Sequence, residues 1–471
     1  MSQRPPNILD EIVQRNSSTS DAIAVVCREE SVTYQELFDR ADNLAAALLP
    51  PRPDSGPRLR IALQCPDGID HIVGALAILR AQACLVPIPT QLTQPEVDEI
   101  LTTTAPHGIL RFDSDQDDPN YQPTPGLVPP FPNAELEALN PCFIRFSSGT
   151  TGVSKGVVIT HEGLRDRVSN ANTGLQIGPS DNILWVLPMA HHFAVSIMLY
   201  LYHGATTIVE PSPLPEQIYA TALQGRATVS YASPFHYRGL SGFEGGGPLP
   251  DLRLAIVTAA AMDETLSAEF RERFGIPLTG ALGVIEVGLP IINLDDAATN
   301  PMALGKALPD YDIAIVDETL EPVAEGEIGE LMIRGSGMLA AYLDPWDPAP
   351  GCFAEGGYFR SGDLASIDRN GTIQLRGRLK SVVNVGGMKV FPEEIEQAIN
   401  THPLVTISRV SGATHPTLGS FPVAEIVTTE PVKPVALMKW CKERLASYKI
   451  PMRFTVVDSI PMTQSGKIQR G

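Results

Sequence analysis

Along its first hundred residues the chain alternates short apolar runs with stretches whose apolar residues recur at helical spacing. Residues 22–27 form a short apolar run. Thr33-Tyr34-Gln35-Glu36-Leu37 then opens a segment with Leu37, Ala41, Leu44, Ala45 and Leu48 on one side, which predicts a helix. Residues 60–63 predict a strand, 69–81 a helix and 83–86 another strand. Strands alternating with helices predict an α/β fold built on mostly parallel sheets flanked by helices. Residues 113–132, 242–248 and 344–351 are rich in Asp, Gly or Pro and predict loops. Past Gly377-Arg378-Leu379-Lys380 the pattern changes. An apolar stretch at 381–385, a Gly386-Gly387 turn and Lys389-Val390-Phe391 precede a helix over 393–399. Pro392 takes its first position and acidic residues fill its first turn, as the macrodipole favours. From Lys380 onward the chain reads as a small α+β unit.

Composition narrows the class. With 471 residues, 43% hydrophobic and 19% charged, the chain has core enough for two or three domains. Lys and Arg number 35 against 54 Asp and Glu, a formal charge of −19. Such a surface excludes nucleic acid or an anionic membrane as main partner, yet one basic loop still accommodates ATP. Cys27, Cys65, Cys84, Cys142, Cys352 and Cys441 show no CxxC pair and no metal spacing. They read as free thiols in a reducing cytoplasm. The polar N-terminus and the lack of a bilayer-length apolar run predict a cytoplasmic protein.

The candidate chemistry centres on Phe146-Ser147-Ser148-Gly149-Thr150-Thr151-Gly152-Val153-Ser154-Lys155-Gly156, between apolar Cys142-Phe143-Ile144 and strand-like Val157-Val158-Ile159. Glycines let successive N–H groups turn toward one point, hydroxyls add donors, and a lysine adds positive charge. The result is a polyphosphate cradle. It is not a Walker A loop, which needs Gly before its Lys and Ser or Thr after it. A Ser/Gly-rich surface turn would explain a shorter stretch, but not this composition between two strands.

The loop resembles the phosphate-binding signature of the adenylate-forming superfamily: acyl- and aryl-CoA ligases, peptide-synthetase adenylation domains and luciferases. Further motifs follow in the same order along nearly the whole chain. The resemblance implies a large N-terminal domain (1–379) and a small mobile lid domain (380–471), hinged at Lys380. It implies ATP-dependent adenylation of a small-molecule carboxylic acid, with release of pyrophosphate. The acyl group then passes to a thiol, either CoA or the phosphopantetheine of an acyl carrier protein.

The resemblance also distributes roles. Ser147, Ser148, Gly149, Thr150, Thr151, Gly152 and Lys155 would hold the phosphates. Glu286, in Leu282-Gly283-Val284-Ile285-Glu286, would bind Mg²⁺, which suits a carboxylate bridging to phosphates. Leu282 replaces the family's adenine-packing aromatic and Ile285 its hydroxyl, so nucleotide binding is expected to be weaker. Ala260, Ala281 and Leu282 fall on the nucleotide side; Asp363, in Tyr358-Phe359-Arg360-Ser361-Gly362-Asp363-Leu364, and Arg378 would anchor the ribose. Lys467, in Pro461-Met462-Thr463-Gln464-Ser465-Gly466-Lys467-Ile468-Gln469-Arg470, would bridge the carboxylate and the α-phosphate. A point charge on a flexible stem suits a contact made in only one domain orientation. Gly386 and Gly387 would line the thiol tunnel.

The acid would lie against Leu187-Pro188-Met189-Ala190-His191-His192-Phe193-Ala194-Val195-Ser196, with Ala259 and Gly280 as further walls. His191 falls at the junction of the acid and ATP channels as a catalytic candidate, and His192, Phe193 and Ser196 as substrate contacts. The run holds no acidic residue, and an unpaired ammonium in an apolar pocket would be costly. The acid is therefore expected to lack an α-amino group, with aryl and acyl acids both open. Three alternatives remain beside this reading: a degenerate member that binds nucleotide without turnover, a luciferase-like oxygenase using the same adenylate, and an amino-acid-activating domain. A monomer or homodimer is expected.

Overall fold

Two large sheets lie at the centre of the fold. The computed structural model describes residues 6–50, 58–112, 118–146, 156–258, 262–348, 351, 353–385, 388–415, 419–462 and 468–469. The first sheet has nine strands in the order Lys306–Ala307, Gly288–Ile292, Leu278–Val284, Leu254–Thr258, Val229–Ala232, Asn182–Trp185, Thr206–Val209, Ile23–Cys27 and Glu30–Thr33. Its central strands, from Leu278–Val284 across to Ile23–Cys27, run parallel. The second sheet has seven, in the order Ala341–Tyr342, Gly156–Thr160, Pro141–Phe146, Cys84–Ile88, Arg60–Gln64, Gly108–Arg111 and Asn120–Pro123. Its inner strands are parallel too, and buried on both faces they read as near-continuous apolar runs.

Local chemistry explains the main helices. Thr33 caps helix Tyr34–Leu48 and Glu36 returns a hydrogen bond to the Thr33 N–H, a reciprocal capping box. Leu37, Ala41 and Ala45 then bury one face. Helix Ile69–Arg80 is apolar nearly all round and almost wholly buried, as a helix packed on several sides must be. Within residues 113–132, expected as loop, the described part (118–132) contains one short strand, Asn120–Pro123. It is mostly exposed and follows no apolar alternation; pairing with Gly108–Arg111 and the packing of Tyr121 against the core give it order.

A four-stranded antiparallel sheet follows, Tyr311–Val316, Gly329–Gly335, Phe359–Ile367 and Ile373–Arg378. After the 3-10 turn Leu379–Ser381 the chain forms a separate five-stranded sheet with helices Pro392–Asn400 and Pro434–Lys442. It has its own core, including Val390, Ile395, Ile399, Ile426 and Leu437. The α/β architecture of a large N-terminal part and a small C-terminal one is thus present. No helix among the described residues is long and apolar enough to cross a membrane.

Candidate active site

The strands on either side of the glycine-rich segment pair antiparallel, with Phe146 opposite Gly156, so residues 147–155 leave and rejoin the second sheet at one point. Ser147, Ser148, Gly149, Thr150, Thr151, Gly152 and Lys155 lie outside the described residues, as do Ala259, Ala260, Gly386, Gly387 and Lys467. Their flanks are placed: Val385 pairs with Met388, and Met462 bridges Ile468.

Glu286 sits in the turn joining Leu278–Val284 to Gly288–Ile292, and three elements fix that turn. Arg167, on helix His161–Leu175, is buried and donates to the carbonyls of Ile285 (2.7 Å), Glu286 (3.0 Å) and Gly337. The Leu339 N–H donates to the Glu286 carbonyl at 2.7 Å. The Tyr342 hydroxyl donates to Glu286 Oε1 at 3.1 Å. Tyr342 belongs to a strand paired with Gly156–Thr160, so the carboxylate is tied to the mouth of the glycine-rich segment. Among the described residues no trio of His, Cys, Asp or Glu could hold a metal by itself. A single held carboxylate fits an ion that takes its other ligands from phosphates and water, as Mg²⁺ does.

Asp363 and Arg378 face each other on neighbouring strands, with Arg378 Nε 2.6 Å from Asp363 Oδ1. The aspartate is buried and the arginine half exposed. Gly377, beside them, has φ +145° and stands where a Cβ would come within 2.6 Å of Glu393 Oε2 on helix Pro392–Asn400. Lys380 is exposed on the turn between the two parts.

The acid-side residues cluster between the sheets. His191 and His192 end the short helix Met189–His192, whose first N–H donates to Asp67 Oδ1 at 2.7 Å. Burial raises the Asp67 carboxyl above the usual range, and the Met189 N–H works against that. His192 lies edge-on to Trp185 (5.7 Å between ring centres) and 6.2 Å from Tyr231. Trp185 and Tyr231 are cross-strand neighbours, stacked at 5.8 Å and 11°. Phe193 is fully buried against Phe143 of the second sheet and against His71. Ser196 is buried too. Gly280 and Ala281 lie buried on Leu278–Val284, while Leu282 packs into the core at 9% exposure.

Arg145, Arg167, Trp185, Tyr231, Tyr342 and Asp67 were not candidates from the sequence. Arg145 alone carried a signal, a cation inside an apolar strand. Burial brings its guanidinium down to about 10; Arg167 pushes the same way, and Tyr231 and Glu286 oppose it. Burial likewise brings Arg167 to about 10, against Tyr311 and Glu286. Both remain cations at neutral pH.

Comparison with known proteins decides the family. Residues 12–343 match the model of the AMP-binding enzymes, and residues 394–467 that of the AMP-binding enzyme C-terminal domain. The chain belongs to the AMP-binding enzyme family. As such it is an adenylate-forming acid–thiol ligase. This AMP-binding enzyme is 28% identical to triostin synthetase I of Streptomyces triostinicus over 96% of its length and 90% of that protein. It is 26% identical to a feruloyl-CoA synthase of an Amycolatopsis species over 98% of its length and 96% of that protein. Its fold resembles ATP-bound MatB from Rhodopseudomonas palustris, with a TM-score of 0.86 and 24% identity over 98% and 97% of the two chains.

Proposed function

We propose that this enzyme adenylates a carboxylic acid lacking an α-amino group, aryl or acyl, and delivers it to CoA or to carrier-bound phosphopantetheine. The observation that carries this reading is the junction at Glu286. There the turn of one sheet, the mouth of the glycine-rich segment and the aromatic corner of Trp185, Tyr231 and His192 come together. Asp67, the carboxylate that the fold adds to the histidine segment, is engaged on a backbone N–H, which favours an acid without an ammonium group.

In this reading Glu286 holds Mg²⁺, which supplies charge neutralisation at the phosphates. Asp363 accepts the ribose hydroxyls and Arg378 stands beside it. His191 lies where the acid and ATP channels join, and His192 and the small wall at Gly280 flank the acid. Lys467 supplies the cation between carboxylate and α-phosphate, and the small domain turns about Lys380 to withdraw it before Gly386 and Gly387 admit the thiol arm.

The test is pyrophosphate release with ATP, Mg²⁺ and a panel of aryl, fatty, dicarboxylic and amino acids, on wild type and Lys467→Ala. The expected result is release with a non-amino acid, lowered roughly 10²–10³-fold by the substitution, as when one positioned charge donor is lost. A preference for an amino acid would overturn the substrate reading. ATP binding without release with any acid would instead favour the degenerate binder, for which the core-packed Leu282 is the specific ground.

A further inference from the structure

The sheet of the small domain has two unlike faces. Strand Val405–His415 pairs antiparallel with Gly419–Thr428, and along it Ser408 and Val410 are buried while Arg409, between them, is half-buried. The Ser408 hydroxyl donates to Asn400 Oδ1 at 2.8 Å, so its face carries helix Pro392–Asn400. Side chains alternate across a strand, which puts Arg409 on the opposite face. There it stands directly across from Glu425 and is braced by it. Arg409 Nε donates to Glu425 Oε2 at 2.7 Å, and Nη2 donates to the same oxygen.

The third nitrogen, Nη1, donates to the backbone carbonyl of Gln469 at 3.0 Å, 60 positions along the chain. The Gln469 N–H in turn donates to the Pro461 carbonyl at 2.9 Å, and Met462 bridges Ile468 as an antiparallel pair. The stretch between Met462 and Ile468 thus begins and ends at one base, which Arg409 ties to the sheet. Pro461, Met462 and Gln469 are exposed, so hydrogen bonds rather than packing secure that base. An exposed ion pair contributes little to stability by itself. This one does more, because a guanidinium braced by a carboxylate is already aimed at its next acceptor.

Lys467 stands two positions before Gln469. We propose that Arg409 is a positioning residue for adenylation: braced by Glu425, it holds the Gln469 carbonyl and with it the base from which Lys467 is presented. This rests on the role given to Lys467 above and adds the residue that supports it. In that reading Lys467 serves acyl-adenylate formation and is withdrawn for thiol transfer. Its support therefore matters in the first half-reaction and not in the second.

The test measures the two half-reactions apart, with the acid that the panel selects, its synthetic acyl-adenylate, and pantetheine as the thiol. In Arg409→Met the kcat for pyrophosphate release is expected to fall roughly tenfold to a hundredfold, as when a reacting group is displaced by about an ångström. The KM values for ATP and acid stay level, and thioester formation from the acyl-adenylate keeps the wild-type rate. Arg409→Lys, a point charge without the planar fork, recovers part of the loss. In a Lys467→Ala background Arg409→Met costs nothing further, because its effect runs through that lysine. Equal loss in both half-reactions overturns the proposal and makes Arg409 a general support of the small domain. So does a full additional loss in the Lys467→Ala background, or unchanged adenylation in Arg409→Met. If no acid releases pyrophosphate, or Lys467→Ala is without effect, the reading of Lys467 has failed. Tryptic cleavage of the Lys467–Ile468 bond then still decides whether Arg409 holds the base: faster cutting in Arg409→Met supports it, and equal rates refute it.

Discussion

Arg167 and Arg145 lie on adjoining elements near Glu286, the first buried and the second partly exposed, and both are drawn down to about 10, yet they are held differently. The guanidinium of Arg167 is spent on the carbonyls of Ile285, Glu286 and Gly337. That of Arg145 has an Nε with no partner among the described residues. A saturated buried charge is scaffold, because everything it can bond is already part of the fold. The direction of the pKa shift does not separate the two arginines; exposure and hydrogen-bond accounting do.

The largest effect that this contrast predicts is on Arg167. Arg167→Met keeps the packing volume and strips three carbonyls of their donor, so a loss on the order of 3–5 kcal/mol is expected in urea unfolding. Adenylation should fall with it, because the Glu286 turn loses its clamp. An unchanged midpoint would remove the distinction between the two arginines.

Buried histidines extend the contrast to groups that shed their proton. Burial depresses His71 to about 4 and His161 to about 3, and His161 Nδ1 accepts from the Ile8 N–H at 3.2 Å. Both folded values lie below that of an unfolded histidine, near 6.5. Their neutral forms therefore contribute full stability above about pH 6.5, and it is lost as pH falls toward 4 and then 3. Thermal melts from pH 7 to 5 should fall, and less steeply in His161→Gln; parallel slopes would contradict this.

Tyr342→Phe removes one hydrogen bond to Glu286 and leaves Arg167 in place. About 1 kcal/mol of stability and a several-fold rise in the Mg²⁺ requirement are expected, read from melts and from activity against Mg²⁺. The smallest effect on stability belongs to Arg145→Met, whose melting temperature should stay level or rise. A drop comparable to that of Arg167→Met would mean that Arg145 is scaffold after all.

Much of this fold was legible wherever the determinants were local. Thr33 and Glu36 mark their helix start, Pro392 opens its helix as read, and apolar runs at 60–63 and 83–86 became parallel strands. The Gly386-Gly387 turn lies outside the described residues, though the strands beside it pair as a hairpin requires. Asn120–Pro123 went unread because an exposed edge strand needs no apolar pattern. At the site, motif order drew attention to Glu286 and Asp363. What holds Glu286 was illegible: Arg167 reaches it across 119 positions and Tyr342 across 56, with ordinary sequence around each. Asp67 was missed for the same reason, 122 positions from the N–H it binds.

The clamp around Glu286 also sets an order of events during synthesis. Gly156–Thr160 gains its outer neighbour only from Ala341–Tyr342, and the Glu286 carbonyl its second donor only from Leu339. Until the ribosome has passed Leu343 the strand beside the glycine-rich segment is an open edge, the kind that invites wrong pairing. The nucleotide end of the enzyme is therefore completed late, by a short segment that bonds both to the Glu286 turn and to the strand Gly156–Thr160. Chains ending at residue 335 should be cut by protease near residue 156, and chains ending at 348 should resist; equal cutting would place the closure elsewhere.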